Sequence, residues 1–150
     1  MNNEDKMNSN GLEQNNKIQK EFTNLSVMVI DDNKLYRKFI SKIIEINFGS
    51  KIIEVEQPKE AFEYLKKDKP DLMLLDMEMP YMDGHTFLKL LRRSDFTKNI
   101  PVIPITAINS KELVLNLSKY KIEDFIIKSA EPEVMIKKIK KVLLSISSKN

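Results

Sequence analysis

The chain has 150 residues, 41% of them hydrophobic and 31% charged, with a formal net charge of +3 and no cysteine. These figures suit one soluble domain built on a single core and exclude a disulfide framework or a thiolate metal site. No stretch reaches the ~18 apolar residues of a membrane helix. The amino terminus MNNEDKMNSN lacks the apolar run of a secretory signal, and no Arg-rich stripe or zinc spacing marks a nucleic-acid partner. A cytoplasmic protein that neither inserts in membranes nor binds nucleic acid is expected.

Six of the first sixteen residues are Asn and few are apolar, so residues 1–24 are expected to be a flexible tail, part of which, around Leu12 to Phe22, has the composition to form a transient helix or dock on the body. From Leu25 on, short apolar runs alternate with longer amphipathic segments. Strand β1 is predicted at Ser26–Ile30, stopped by Asp31 and Asp32. Helix α1 follows at about Lys34–Asn47, marked by Leu35, Phe39, Ile43 and Ile46 at helical spacing and ended by Phe48-Gly49-Ser50. Strand β2 is read at Ile52–Glu56, and α2 begins at Pro58 with Ala61, Phe62 and Leu65 facing inward. The run Leu72–Asp76, LMLLD, is continuous enough for a strand β3 buried on both faces, and α3 at about Gly84–Asp95 buries Phe87, Leu88 and Leu91. Strand β4 is Val102–Thr106; its internal Pro104 cannot donate to a ladder, which predicts a strand near an edge or locally irregular. Helix α4 at about Ser110–Lys119 takes Ser110 as N-cap, β5 is Asp124–Lys128, and α5 at about Pro132–Ser147 places Met135, Ile136, Ile139, Val142, Leu143 and Ile146 on one face. Five βα units with short connections give an α/β fold: a doubly wound, five-stranded parallel sheet with helices on both faces. Residues 148–150 form the carboxyl-terminal end.

Parallel strands share one carboxyl rim, where open α/β sheets place their ligands. The predicted strands bring Asp31, Asp32, Asp76, Thr106 and Lys128 there. Three close carboxylates repel, and oxygen-only ligands without His or Cys favour Mg²⁺, which often also holds a phosphate. A lysine and a hydroxyl beside such a site can orient phosphoryl oxygens, and a carboxylate can be the in-line nucleophile, giving an aspartyl phosphate. No Gly-rich phosphate loop is present, so the phosphoryl group is expected from another molecule. His85, at the start of α3, is taken as a surface residue. Lys137, Lys138, Lys140 and Lys141 form a solvated outer face or a basic surface for an acidic partner.

Residues 25–147 resemble the receiver domain of two-component response regulators. VMVIDDN is similar to that family's first strand with its acid pair, and LLDMEMPYMDG, PVIPITA and EDFIIK to its third, fourth and fifth. The resemblance implies the strand order 2-1-3-4-5 and a Mg²⁺ site of Asp31, Asp32, Asp76 and the backbone carbonyl of Glu78, with Asp32 as a direct ligand. It further implies Asp76 as phosphoacceptor, Lys128 as phosphate-pairing lysine, and Thr106 with Phe125 as switch residues. A histidine kinase or histidine phosphotransfer protein would load Asp76, and the α4–β5–α5 face would change its affinity for a downstream target. Glu78 and Ile108 stand where neighbours influence the lifetime of the phosphate. The implied role is a phosphoacceptor signalling protein, not a turnover enzyme, that promotes its own phosphorylation and slow dephosphorylation; the pattern is that of a stand-alone chemotaxis or phosphorelay regulator. Two positions depart from the family: Ser129 replaces the usual proline after the lysine, which bears on the cis peptide common there, and Lys121 replaces a helix-ending glycine. Competing readings are a docking module without phosphorylation, a flavin- or nucleotide-binding domain, and a phosphatase.

Overall fold

A computed structural model describes residues 21–150. The elements run β1 (Ser26–Ile30), α1 (Lys34–Phe48), β2 (Lys51–Val55), α2 (Pro58–Leu65), β3 (Leu72–Asp76), α3 (Gly84–Arg93), β4 (Val102–Thr106), α4 (Lys111–Ser118), β5 (Ile126–Ile127) and α5 (Pro132–Ser147). All pairings are parallel, in the order β2-β1-β3-β4-β5. Helices α1 and α5 cover one face, where Ile40, Ile44, Phe48, Met135, Ile139 and Leu143 meet Val27, Val29, Leu72 and Leu74. Helices α2, α3 and α4 cover the other, with Ala61, Leu65, Phe87, Leu88, Leu91 and Leu117 against Met28, Ile30, Met73 and Leu75. The central strands β1, β3 and β4 are buried on both faces, which is why they read as unbroken apolar runs. None of the helices among the described residues is long and apolar enough to cross a membrane.

The helix starts follow from their caps. The Asn33 side chain accepts from the Tyr36 N–H, Asp83 from Thr86 and Ser110 from Leu113, each satisfying a donor of the first turn. Gly49 closes α1 in the left-handed conformation, φ 65°, where a glycine carries no Cβ penalty.

Four expectations change. Of the residues that mark α1, only Ile43 is buried; Leu35, Phe39 and Ile46 face solvent, and the inner stripe is Arg37, Ile40, Ser41, Ile44 and Phe48. The sequence offers two overlapping apolar stripes, and the inner one packs Ile40, Ile43, Ile44 and Phe48 on the sheet, with the Arg37 guanidinium donating to a buried carbonyl. Strand β2 lies one residue earlier than expected. Strand β5 shrinks to two residues. The carbonyls of Val102 and Thr106 accept from Glu123 and Lys128 on the β5 side, whereas those of Pro101 and Ile105 accept from Met73 and Met77 on the β3 side. Pro104 lies midway between Val102 and Thr106 and faces the same side, so it offers no N–H towards β5 and the ladder there stops short. Finally, Phe22, assigned to the tail, is fully buried. Its ring packs edge-on to Phe48 at 5.9 Å, and its carbonyl accepts from Ser50 Oγ and Leu25 N. The packed unit therefore reaches at least to Phe22; the rest of the expected tail, residues 1–20, lies outside the described residues.

Lys121 has φ 52°, the left-handed region that glycine usually fills. Arg92 of α3 braces the turn: its Nε donates to the Tyr120 carbonyl at 2.6 Å, and its terminal nitrogens donate to Ile100 at 3.0 Å and Lys121 at 3.2 Å.

Two stability outcomes follow from these contacts. Phe22→Ala is expected to cost about 3–5 kcal/mol in urea unfolding, the range for emptying an aromatic core site; a loss below about 1 kcal/mol would show that Phe22 is not part of the core. Lys121→Gly should raise the unfolding midpoint, because a left-handed non-glycine costs roughly 1–2 kcal/mol against the ~0.5–1 kcal/mol entropic disadvantage of glycine. A lowered midpoint would mean that the turn holds no strain.

Candidate functional site

Four strand ends build the site, those of β1, β3, β4 and β5. At the end of β1, the Asp31 N–H donates to the Val55 carbonyl, the Asp31 Oδ1 accepts from the Asn33 N–H at 2.8 Å, and its carbonyl accepts from Arg37 Nη1 at 2.6 Å. At the end of β3, the Glu78 N–H donates to Asp76 Oδ1 at 3.0 Å. The loop that follows folds back until the Gly84 N–H donates to the Met77 carbonyl at 3.1 Å. A Cβ on Gly84 would stand 2.6 Å from Met77 Sδ and 2.9 Å from the Asp76 carbonyl. The glycine of LLDMEMPYMDG is thus demanded by close backbone approach.

Asp31, Asp32 and Asp76 come together, each offering an oxygen within 4.8 Å of the others. Asp31 and Asp76 are buried, and Asp32 is the most open of the three. The Lys128 ammonium reaches across from β5 to lie 3.1 Å from Asp76 Oδ1 and 3.3 Å from Asp31 Oδ2. One ammonium reaches two of the three carboxylates, so the negative charge of the cluster is not compensated. Burial, followed by the Asp31 charge, pushes the Asp76 carboxyl up to about 7, with the Glu78 N–H and Lys128 opposing. For Lys128, burial would lower the pKa, but the Asp76 hydrogen bond and the charges of Asp76 and Asp31 outweigh it and the net shift is upward.

Thr106 is completely buried. Its hydroxyl donates to Glu78 Oε1 in a short hydrogen bond and accepts from the Ile108 N–H at 3.1 Å, while Glu78 Oε2 accepts from the Ala107 N–H. The Glu78 side chain thus ties the end of β3 to the end of β4, a contact the sequence did not suggest. Phe125 is half-buried and carries the Lys138 ammonium 4.9 Å from its ring centroid; Lys138 also pairs with Asp124 at 2.7 Å. His85 is half-buried beside Tyr120 rather than fully solvated. No peptide bond among the described residues is cis, including the one between Lys128 and Ser129.

Two further residues join the site. The Tyr36 ring lies 4.9 Å below the Lys128 ammonium, and its hydroxyl is buried without a hydrogen-bond partner. Burial pushes that hydroxyl up to about 12; Lys128 lowers it, while Asp31 and Asp76 raise it further. Arg37 is the other. The only signal for either was position within the first turn of α1, directly after the acid pair.

The residues fit a hard divalent cation. The donors are carboxylate oxygens alone; Asp76 Oδ2 is buried with no hydrogen-bond partner and Asp31 Oδ2 has only the Lys128 ammonium at 3.3 Å, an expensive arrangement unless a cation completes it. Beside Asp32 lies a cleft of about 180 Å³ walled by Gln57, Pro58, Met79 and Tyr81. That is below the ~300 Å³ at which small-molecule pockets begin, which argues against a flavin or nucleotide there.

Residues 27–140 match the response regulator receiver domain model. The chain is 30% identical over 117 residues to the chemotaxis protein CheY of Bacillus subtilis, covering 78% of this chain and 96% of that protein. It is 32% identical to the phosphate regulon transcriptional regulatory protein PhoB of Klebsiella pneumoniae over 81% of this chain and 52% of the relative. Against the CAI-1 autoinducer sensor kinase/phosphatase CqsS of Vibrio cholerae it is 30% identical, but spans only 18% of that protein. The chain thus spans about half or less of these two longer relatives. Among solved structures, the receiver domain of Francisella response regulator 1452 is 30% identical, covers 81% of this chain and 98% of its own, and superposes with a TM-score of 0.73. Vibrio cholerae CheY4 gives 0.72 at 24% identity over 79% of this chain and 98% of its own, a likeness of fold. With sheet order, acid cluster and matched span in agreement, the chain belongs to the response regulator receiver domain family.

Proposed function

We propose that this domain is a phosphorylation switch in which Asp76 is the phosphoacceptor and Asp31, Asp32, Asp76 and the Glu78 backbone carbonyl hold Mg²⁺. Receiver domains are phosphorylated by histidine kinases and act on downstream targets, so the donor is a phosphohistidine on a kinase or phosphotransfer protein. The observation that carries the reading is the Lys128 ammonium held 3.1 Å from a buried Asp76 carboxylate whose second oxygen has no donor.

The Asp76 oxygen attacks phosphorus in line. An O–P bond forms, the N–P bond breaks, and the histidine nitrogen leaves with the electron pair. Lys128 turns its charge from the carboxylate to a phosphoryl oxygen. Bound Mg²⁺ supplies charge neutralisation for the acids and the phosphoryl oxygens. The Thr106 hydroxyl exchanges its Glu78 partner for a phosphoryl oxygen, and Phe125 turns into the space released. The α4–β5–α5 face then binds a target protein, an equilibrium biased by local charge and packing. The cytoplasm, where kinases of this kind present their phosphohistidine, is the compartment this reading requires.

Incubation with a small acyl phosphate and Mg²⁺ is expected to add one phosphate per chain to the wild type and none to Asp76→Asn, followed by intact-mass spectrometry. Equal labelling of both would remove Asp76 from the role.

The raised pKa of Asp76 gives a second test in metal-free buffer. The folded carboxyl titrates near 7 and its reference value is 3.8, so the folded chain binds more protons between those values. Stability from this group therefore falls as pH rises from about 4 to 7. Asp76→Asn should be more stable than wild type by roughly 1–4 kcal/mol above pH ~7.5, with a smaller gain near pH ~5, and added Mg²⁺ should narrow the gap. An advantage independent of pH would show that ionisation of Asp76 is not what destabilises the site.

A further inference from the structure

Arg37 is a buried cation that the phosphoryl chemistry does not use. Its side chain is 10% exposed, and its Nε lies 3.5 Å from Glu54 Oε2 on β2, too far for a hydrogen bond, so the Nε is left without a hydrogen-bond partner. Glu54 is shared with Lys38, which approaches to 3.0 Å. A buried guanidinium with one long ion pair is a poor source of stability. Its one short contact is the 2.6 Å hydrogen bond from Nη1 to the Asp31 carbonyl.

That carbonyl belongs to the peptide joining Asp31 to Asp32. The orientation of this peptide plane constrains the Cα positions from which both carboxylates project, since each Cα is fixed relative to it. The other side of Asp31 is already held by its N–H to Val55 and by its Oδ1 on the Asn33 N–H. Arg37 supplies the remaining restraint, from the first turn of α1.

We infer that Arg37 is a positioning residue for the divalent-cation site: through the Asp31 carbonyl it orients Asp31 and Asp32, and so sets the affinity for the ion. The inference rests on the reading that these acids hold Mg²⁺. Partners that orient metal ligands typically contribute 10–100-fold in affinity. The rival account makes Arg37 a plain tie between α1 and β2 through Glu54; the two accounts differ in what Glu54 should do.

The test is a Mg²⁺ titration of the full chain, followed by NMR shifts of the site amides, with urea stability measured separately in EDTA. Arg37→Met keeps the aliphatic stem and should weaken Mg²⁺ binding about 10–100-fold. Arg37→Lys retains a donor for the Asp31 carbonyl without the fork and should weaken it less, by roughly 3–10-fold. Glu54→Gln cuts the tie to β2 but leaves the carbonyl contact, and should stay within about twofold of wild type. Wild-type affinity in a folded Arg37→Met chain would overturn the inference, as would a loss in Glu54→Gln equal to that in the Arg37 variants. If Arg37→Met does not fold, Arg37→Lys decides: wild-type affinity there overturns the inference, and weakened binding with little stability loss in EDTA supports it. Failure of the wild type itself to bind Mg²⁺ would instead strike the underlying reading of the acids.

Discussion

Uncompensated negative charge at the carboxyl rim is the constraint around which the rest is arranged. Two carboxylates within 4.8 Å repel by roughly 3.5 kcal/mol or more at an effective dielectric near 20, and burial adds its own penalty to ionising Asp76. The strand order imposes it by setting β1 and β3 side by side, and the chain tolerates it because Lys128 reaches both acids. Lys128 arrives from β5, two inter-strand spacings, or about 10 Å, from β3. A long side chain is therefore needed, and the intervening strand ends in the short Thr106. The Tyr36 ring beneath the ammonium adds a weak attraction that favours this extended pose. What remains is a cluster stable enough to fold and anionic enough to want a cation.

The same charge reaches Thr106 through one residue. Glu78 donates its backbone N–H to Asp76 and accepts the Thr106 hydroxyl and the Ala107 N–H on its carboxylate. Any group that draws the Thr106 hydroxyl towards Asp76 must compete with an anion already holding that proton. Glu78 shares the loop with Gly84, whose packing against the β3 end permits no Cβ, so this arm of the site is closely packed. On the other side, the Phe125 ring is half-buried with the Lys138 ammonium 4.9 Å from its centroid.

Much of this was legible from residue order alone, for identifiable reasons. Strands β1, β3 and β4 are buried on both faces, so their apolar runs have sharp polar ends, and those ends, with Lys128, are what the fold brings together. Caps at Ser110 and Gly49 were legible because their side-chain requirements are local. The phase of α1 was not, since two apolar stripes overlap and the choice between them is made by tertiary packing against the sheet. Phe22 escaped because one aromatic in an Asn-rich stretch has no periodicity, and its partner Phe48 is distant in sequence. The length of β5 depended on which neighbour Pro104 faces, a matter of register. Arg37 and Tyr36 act through a carbonyl and a ring face, contacts that leave no motif.

The two places where the chain needs glycine-like freedom differ in kind, and the difference orders what can vary. At Gly84 the obstacle is steric: three atoms within 2.9 Å of a would-be Cβ include Met77 Cα and the Asp76 carbonyl oxygen, so a side chain would displace the backbone that presents Asp76. At Lys121 the obstacle is conformational, a bounded cost of about 1–2 kcal/mol. Three hydrogen bonds from Arg92 brace the surrounding carbonyls, and at about 1 kcal/mol net apiece they can offset it. The turn before β5 lies at the amino end of its strand, away from the acids, where such an offset leaves the rim undisturbed. Departure from the family pattern is therefore affordable at Lys121, whereas at Gly84 the position of the acid cluster itself depends on the missing side chain.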